Sequence, residues 1–224
     1  MGGTFDVNIS KKRPGTYINF VPEGKQTVKG SKRGTALLPL IGLGWGPDKG
    51  TIKLTAASPD AEMAKLGHSV YDDNDFMMLV RETFKGATTV VVYVINPGTK
   101  ATATAEGITL TAAYGGTRGN DISVACVAEA GKDTFAVKVY LEADVAEEYT
   151  GLSTVADLIA ANSGNYVVFT AESTEAKLTA FASAKLTGGA DGTVSNSAVT
   201  AFLDASEMIK WNTMALPVTE ETLK

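Results

Sequence analysis

The sequence predicts a mixed α+β / α/β fold: a host α/β layer domain interrupted by an inserted small β-rich domain, behind an extended N-terminal arm. Three observations predict it. Residues 35–97 alternate apolar, β-branched runs with helix-length amphipathic stretches. Beyond Asn96-Pro97-Gly98 the composition shifts to Ala, Thr and Gly with short alternating runs, until a second glycine-rich joint at Gly188–Gly192 returns the chain to helical periodicity. Before residue 35 there is little apolar mass and much positive charge. The expected division is therefore an arm at 1–34, a discontinuous host domain at 35–97 and 188–224, and an inserted domain at 98–187 with one helix.

In the arm, Phe5, Val7 and Ile9 alternate with polar residues. After the Pro14-Gly15 turn, Tyr17, Ile18, Asn19 and Phe20 open a second short strand. Such an arm cannot bury a core alone; it lies along its own subunit or adds a strand to another. Lys11, Lys12, Arg13, Lys25, Lys29, Lys32 and Arg33 crowd it, against Asp6 and Glu23. Either the arm is a solvated basic segment or it meets an acidic surface.

Thr35 to Leu43 predicts a buried strand closed by a Gly44-Trp45-Gly46-Pro47 turn, and Ile52 to Leu54 a short one. Ser58 is placed to cap a helix with Pro59 at its first position and Gly67 past its end. Asp72 or Asp73 suits the cap of a second helix over Asn74–Lys85, burying Phe76, Leu79, Val80 and Thr83 or Phe84, with Gly86 ending it. Thr88 to Ile95, almost without a polar break, predicts a strand covered on both faces.

Across 98–187 the predicted strands are Ala105–Ala112, Ile122–Ala128, Thr134–Leu141 and Tyr166–Thr170. Ser153 caps a helix over Thr154–Ala161. Helix and strand patterns tie in Thr174–Lys185, which stays unassigned. Ser195 or Asn196 caps a helix over Ala198–Lys210, and Trp211 to Val218 leads into a last strand.

Little in the chain points to chemistry. Gly42, Gly44 and Gly46 fail the dinucleotide fingerprint because its third glycine is needed one position after Gly46, where Pro47 sits. The Gly188-Gly189-Ala190-Asp191-Gly192 loop before a helix could cradle an anion, but no Lys-Ser or Lys-Thr pair follows, so it is not a P-loop. The Asp72–Asp75 cluster lacks the alternating spacing of a calcium loop. His68, the one histidine, has no ligand-spaced neighbours, and Cys126, the one cysteine, sits in an apolar run as a small hydrophobe. A net charge of −5 makes no case for nucleic acid. The longest apolar run, Ala36–Trp45, is broken by Pro39 and two glycines and is too short to span a bilayer. No enzyme activity, cofactor or metal is expected.

The most constrained stretch is Tyr114-Gly115-Gly116-Thr117-Arg118-Gly119-Asn120-Asp121-Ile122, an elaborate turn between two strands. Two readings stay open: a structural corner whose Arg118 bonds nearby carbonyls, or an anion site of backbone amides with Arg118. The stretch resembles the hallmark of tail sheath proteins of contractile phage tails and related injection systems, with Tyr114, Gly116, Thr117, Arg118, Gly119, Asn120 and Asp121 in its pattern. Arg13–Phe20, Leu43–Pro47 and Leu186–Gly192 match the same family in the same order.

The resemblance covers that family's N-terminal half. It implies a structural subunit that assembles with copies of itself into a helix around a tail tube, contacts tube and baseplate proteins, and works by lattice contraction. It further implies arms such as Tyr17–Phe20 linking subunits, an outward-facing inserted domain, a place in a virion tail or phage-like particle made in the bacterial cytoplasm, and no membrane insertion. Two alternatives of other classes are a small anion- or nucleotide-binding protein using Arg118 and the Gly188–Gly192 loop, and an adhesive surface module over Gly98–Thr187.

Overall fold

The computed structural model describes residues 34–216. The predicted arm strand Tyr17, Ile18, Asn19 and Phe20 lies outside the described residues, as do positions 217–224. The chain opens with β1 (Thr35–Ile41) and β2 (Gly50–Thr55), then α1 (Met63–Leu66), α2 (Asp75–Gly86) and β3 (Thr89–Ile95). β3 pairs in parallel with β1, from Thr35 opposite Thr89 to Ile41 opposite Ile95, and antiparallel with β2. Met77 and Val80 of α2 cover one face of this sheet, over Leu38, Leu40, Ile52, Val90 and Val92. β3 is therefore the doubly covered strand its β-branched run predicts.

Local details differ from expectation. Ser58 caps nothing with its side chain; Pro59–Glu62 form a 3-10 turn ahead of the single turn of α1, which ends at Gly67 in the left-handed region (φ 69°). The backbone explains this: Ser58 N–H donates to the Thr55 carbonyl (3.1 Å), holding Ser58 in a tight turn off β2. Helix α2 is capped by Asn74, whose Oδ1 accepts from Phe76 N–H (2.8 Å), and not by Asp72 or Asp73. Asp72 instead turns back to accept from Ser69 N–H at 3.0 Å. Met77 rather than Phe76 or Leu79 is the fully buried partner of Val80.

The middle of the chain forms β4 (Lys100–Ala105), β5 (Ile108–Gly115), β6 (Ile122–Ala128), β7 (Phe135–Leu141), β8 (Asp144–Leu152), α3 (Val155–Ala161), β9 (Val167–Ala171) and β10 (Phe181–Lys185). The single strand expected at Ala105–Ala112 is really a hairpin. Glu106 (φ 46°) and Gly107 (φ 76°) both take positive φ, the signature of a primed two-residue turn matching strand twist. Helix α3 is capped by Thr154, one residue after the expected Ser153. Thr154 Oγ1 accepts from Asp157 N–H (3.2 Å) while Asp157 Oδ2 accepts from Thr154 N–H (2.8 Å), a reciprocal capping box. The tied stretch 174–185 ends as a strand.

Finally α4 (Asn196–Ser206) leads to β11 (Thr213–Met214), which pairs in parallel with β1. Phe202 of α4 seals the second face of the first sheet over Leu37, Tyr93 and Ile95, with the Tyr93 ring 5.5 Å away. The sheet orders are β11-β1-β3-β2, β10-β6-β7-β8 and β4-β5-β9. The second and third sheets face each other over one core that includes Ile108, Leu110, Val124, Cys126, Val139 and Phe169. Each such side chain contributes about 1.5–3 kcal/mol by leaving water. The chain leaves the first sheet after β3 and re-enters it at β11.

Candidate functional site

Where the chain crosses between the first sheet and the other two, five segments meet on the Gly115–Asp121 turn. Its backbone can approach so closely only because the contact residues are glycines. A Cβ on Gly115 would overlap the Gly98 carbonyl, and one on Gly116 (φ 114°) would overlap the carbonyl of Gly44. The gaps are filled by backbone bonds: Gly116 N–H donates to the Thr99 carbonyl (2.8 Å) and Arg118 N–H to the Gly44 carbonyl (3.3 Å).

Side chains of the turn then reach outward to the other segments. Thr117 N–H and hydroxyl both donate to the Asp191 carboxylate, at 2.7 and 3.0–3.1 Å. Asn120 exchanges two hydrogen bonds with Gly189. Arg118, with a side chain 14% exposed, donates from Nε to the Gly67 carbonyl (3.0 Å) and from one terminal nitrogen to Asp121 (3.1 Å) and to Glu142. The Arg118 guanidinium, hydrogen-bonded and close in charge, holds the Glu142 carboxyl below the usual range. Among the described residues the Tyr114 hydroxyl has no hydrogen-bond partner; its ring stands edge-on to Trp45, centroids 5.3 Å apart.

Of three further residues that matter here, Asn96 and Glu142 carried no functional signal in the sequence, and Trp45 stood only within the Leu43–Pro47 family match. Asn96, 4% exposed, donates to the carbonyls of Gly46 (3.1 Å) and Gly115 (2.7 Å), tying the end of β3 to both turns. Trp45, 1% exposed, reaches from the first sheet's turn into the core of the other two sheets, stacks near Tyr166 and donates from its indole nitrogen to the Ala64 carbonyl at 2.8 Å. Glu142 follows β7 and meets Arg118 across 24 residues. Asn96 and Trp45 look like turn punctuation in one dimension, and a lone surface glutamate has no pattern at all.

The anion reading loses its donors in this geometry. The Asp191 carboxylate already takes the Thr117 amide, Gly189 N–H donates to Asn120 Oδ1, and Ala190 N–H to the Thr99 carbonyl (3.4 Å). Arg118 has Gly67 and two carboxylates of its own. Among the described residues no group of His, Cys, Asp and Glu is arranged to hold a metal ion, and no helix is long and apolar enough to cross a membrane. His68 lies beside the turn, its Nδ1 3.6 Å from Asp72 Oδ2.

The model of the phage tail sheath protein β-sandwich domain matches residues 96–191, the span that holds the turn and both facing sheets. The chain is also 34% identical to a sheath tail protein from Desulfitobacterium hafniense, with TM-score 0.72 over 93% of this chain and 47% of that one. The chain belongs to the phage tail sheath family. A second sheath tail protein, from Listeria innocua, superposes with TM-score 0.74 at 35% identity, covering 86% of this sheath chain and 42% of its own. In Bacillus subtilis strain 168, the phage-like element PBSX protein XkdK is 34% identical over 98% of this chain and 49% of its own length. The uncharacterized protein YqbK of the same strain is 35% identical over 100% and 50%. This sheath-family chain thus spans about half the length of the curated relatives it matches.

Proposed function

We propose that the chain is a structural subunit of a contractile tail sheath, with a mechanical and not a catalytic role. Family membership carries this reading, and the geometry of the turn supports it: polar groups that could have met a ligand are spent on holding the two parts of the chain together. Residues 98–187 act as a domain inserted into a host layer of 35–97 and 188–224. Head-to-tail contacts between identical subunits that do not close on themselves build a helix around the tail tube. Tyr17, Ile18, Asn19 and Phe20 pair with a neighbouring copy, and tube and baseplate proteins are the remaining partners. Repacking of this lattice drives injection, within a virion tail or phage-like particle assembled in the bacterial cytoplasm.

Immunogold electron microscopy tests the reading, using an antibody raised against the exposed 98–187 surface on particles from the producing strain. Regular decoration along the whole tail shaft is expected. Label confined to one end, or absent from intact tails, overturns the assignment.

A further inference from the structure

His68 is the only histidine of the chain, and the fold sets it in the joint just described. It follows Gly67, whose carbonyl accepts Arg118 Nε. Its side chain is 16% exposed and borders a cavity of about 240 Å³ shared with Met63, Leu141, Val145 and Tyr166. The charged groups facing this cavity are Asp72 on the same loop, Arg118 on the turn, and Glu142 and Asp144 beyond β7. Nearby, Asp60 and Arg81 are turned onto backbone groups of residues 69–72.

Each neighbouring carboxylate with a close contact is already committed. Glu142 and Asp121 accept from Arg118, and Asp72 accepts from Ser69 N–H while lying 3.6 Å from the imidazole. Asp144 forms no ion pair among the described residues and lies exposed at the start of β8. A proton on His68 therefore places a second cation in a largely buried site beside Arg118, next to the one carbonyl that Arg118 Nε holds, with Asp72, 3.6 Å away and already accepting from Ser69 N–H, as its nearest counter-ion.

We propose that His68 is a pH-sensitive wedge in this joint: protonation moves the imidazole out of the cavity toward water, draws Gly67 off Arg118, and loosens the first sheet from the other two. Burial, and secondly the charge of Arg118, push the imidazole below its ordinary value, against a smaller opposing pull from Asp72 and Glu142. The sign follows. The closed joint prefers neutral His68, so its stability is fully present above about pH 6.5, the value of a free histidine, and is lost as pH falls from there through the lower value in the closed form. The device does not depend on the sheath reading.

A lone histidine gives one imidazole Cε1–H signal, so its titration is read by proton NMR without ambiguity. Its midpoint is expected below about 6.5. Spin labels at Lys53→Cys on β2 and Val168→Cys on β9, both exposed positions, report the separation of the sheets, while Cys126 is fully buried. A narrow distance distribution at pH 8 that broadens at pH 5, and stays narrow at both in His68→Gln, is the expected result. His68→Asn serves if the glutamine variant does not fold. A midpoint at or above 6.5, equal distributions at both pH values, or broadening that persists without the histidine overturns the proposal.

Discussion

Asn120 and Gly189, 69 residues apart, are joined by two hydrogen bonds in opposite directions: Asn120 Nδ2 donates to the Gly189 carbonyl (2.8 Å), and Gly189 N–H donates to Asn120 Oδ1 (2.9 Å). A side-chain amide is here used as a piece of backbone, completing a ladder that the glycine-rich loop cannot complete by itself.

Asn120→Ala removes both bonds and leaves two backbone groups unpaired, for a loss of about 1–3 kcal/mol in denaturant unfolding. Asn120→Asp keeps the acceptor but turns a carboxylate toward the Gly189 carbonyl, and is expected to be at least as damaging. A cost for both variants within ~0.5 kcal/mol, the range of ordinary surface changes, would remove Asn120 from the joint.

Gly116→Ala is expected to cost more than about 3 kcal/mol or prevent soluble expression, because positive φ and a collision with the Gly44 carbonyl act together. Gly151→Ala is the control. It has positive φ (73°) but open space around it, so a loss of only about 1–2 kcal/mol is expected. Equal losses would mean that the close backbone approach costs nothing.

Arg118→Lys keeps the charge and loses the fork that reaches Gly67, Asp121 and Glu142 at once. Glu142 is held below its ordinary value by this contact, so the contact adds stability above the unfolded carboxyl value and loses it as pH falls through the native one. Wild-type stability should accordingly drop as the pH falls below about 4.3, and part of that drop should vanish in both Arg118→Lys and Glu142→Gln. An unchanged acid profile in Glu142→Gln would show that the pair is decorative.

The chain has two tryptophans, Trp45 at 1% exposure and Trp211 at 38%. Iodide should quench one fluorescence component and spare the other, and Trp45→Phe should remove the protected one. That change also deletes the bond to the Ala64 carbonyl and leaves a void, costing about 2–4 kcal/mol. Full quenching of the wild type would contradict the buried indole.

Deleting residues 1–20 is expected to abolish assembly with copies of this chain while leaving the melting temperature of the remainder within a few degrees. Polymers unaffected by the deletion would dismiss the arm as a linker.

Much of the fold was legible because it rests on local rules. A β-branched run with no polar break, Thr88–Ile95, has few alternatives to a covered strand, and glycine with Asn and Asp marks a turn in any context. The Lys100–Ala105 strand escaped because Lys-Ala-Thr-Ala-Thr-Ala has no large side chain to announce a buried face. Strand β8 escaped because an edge strand with Glu147 and Glu148 looks like solvent-facing coil. The turn motif was visible as a unit, but its partners were not. Gly67 lies 51 residues from Arg118, and a carbonyl can be recruited from any residue type.

The two segments that carry the chain out of the first sheet and back lie side by side, bridged antiparallel at Thr99 with Ala190 and Thr102 with Thr187. A pull separating the sheets along that direction loads both covalent chains together and barely displaces one against the other, so the bridges feel little of it. Twisting about the same direction slides them past each other and strains every bridge. The connection is thus a double tether, tolerant of tension and stiff in torsion.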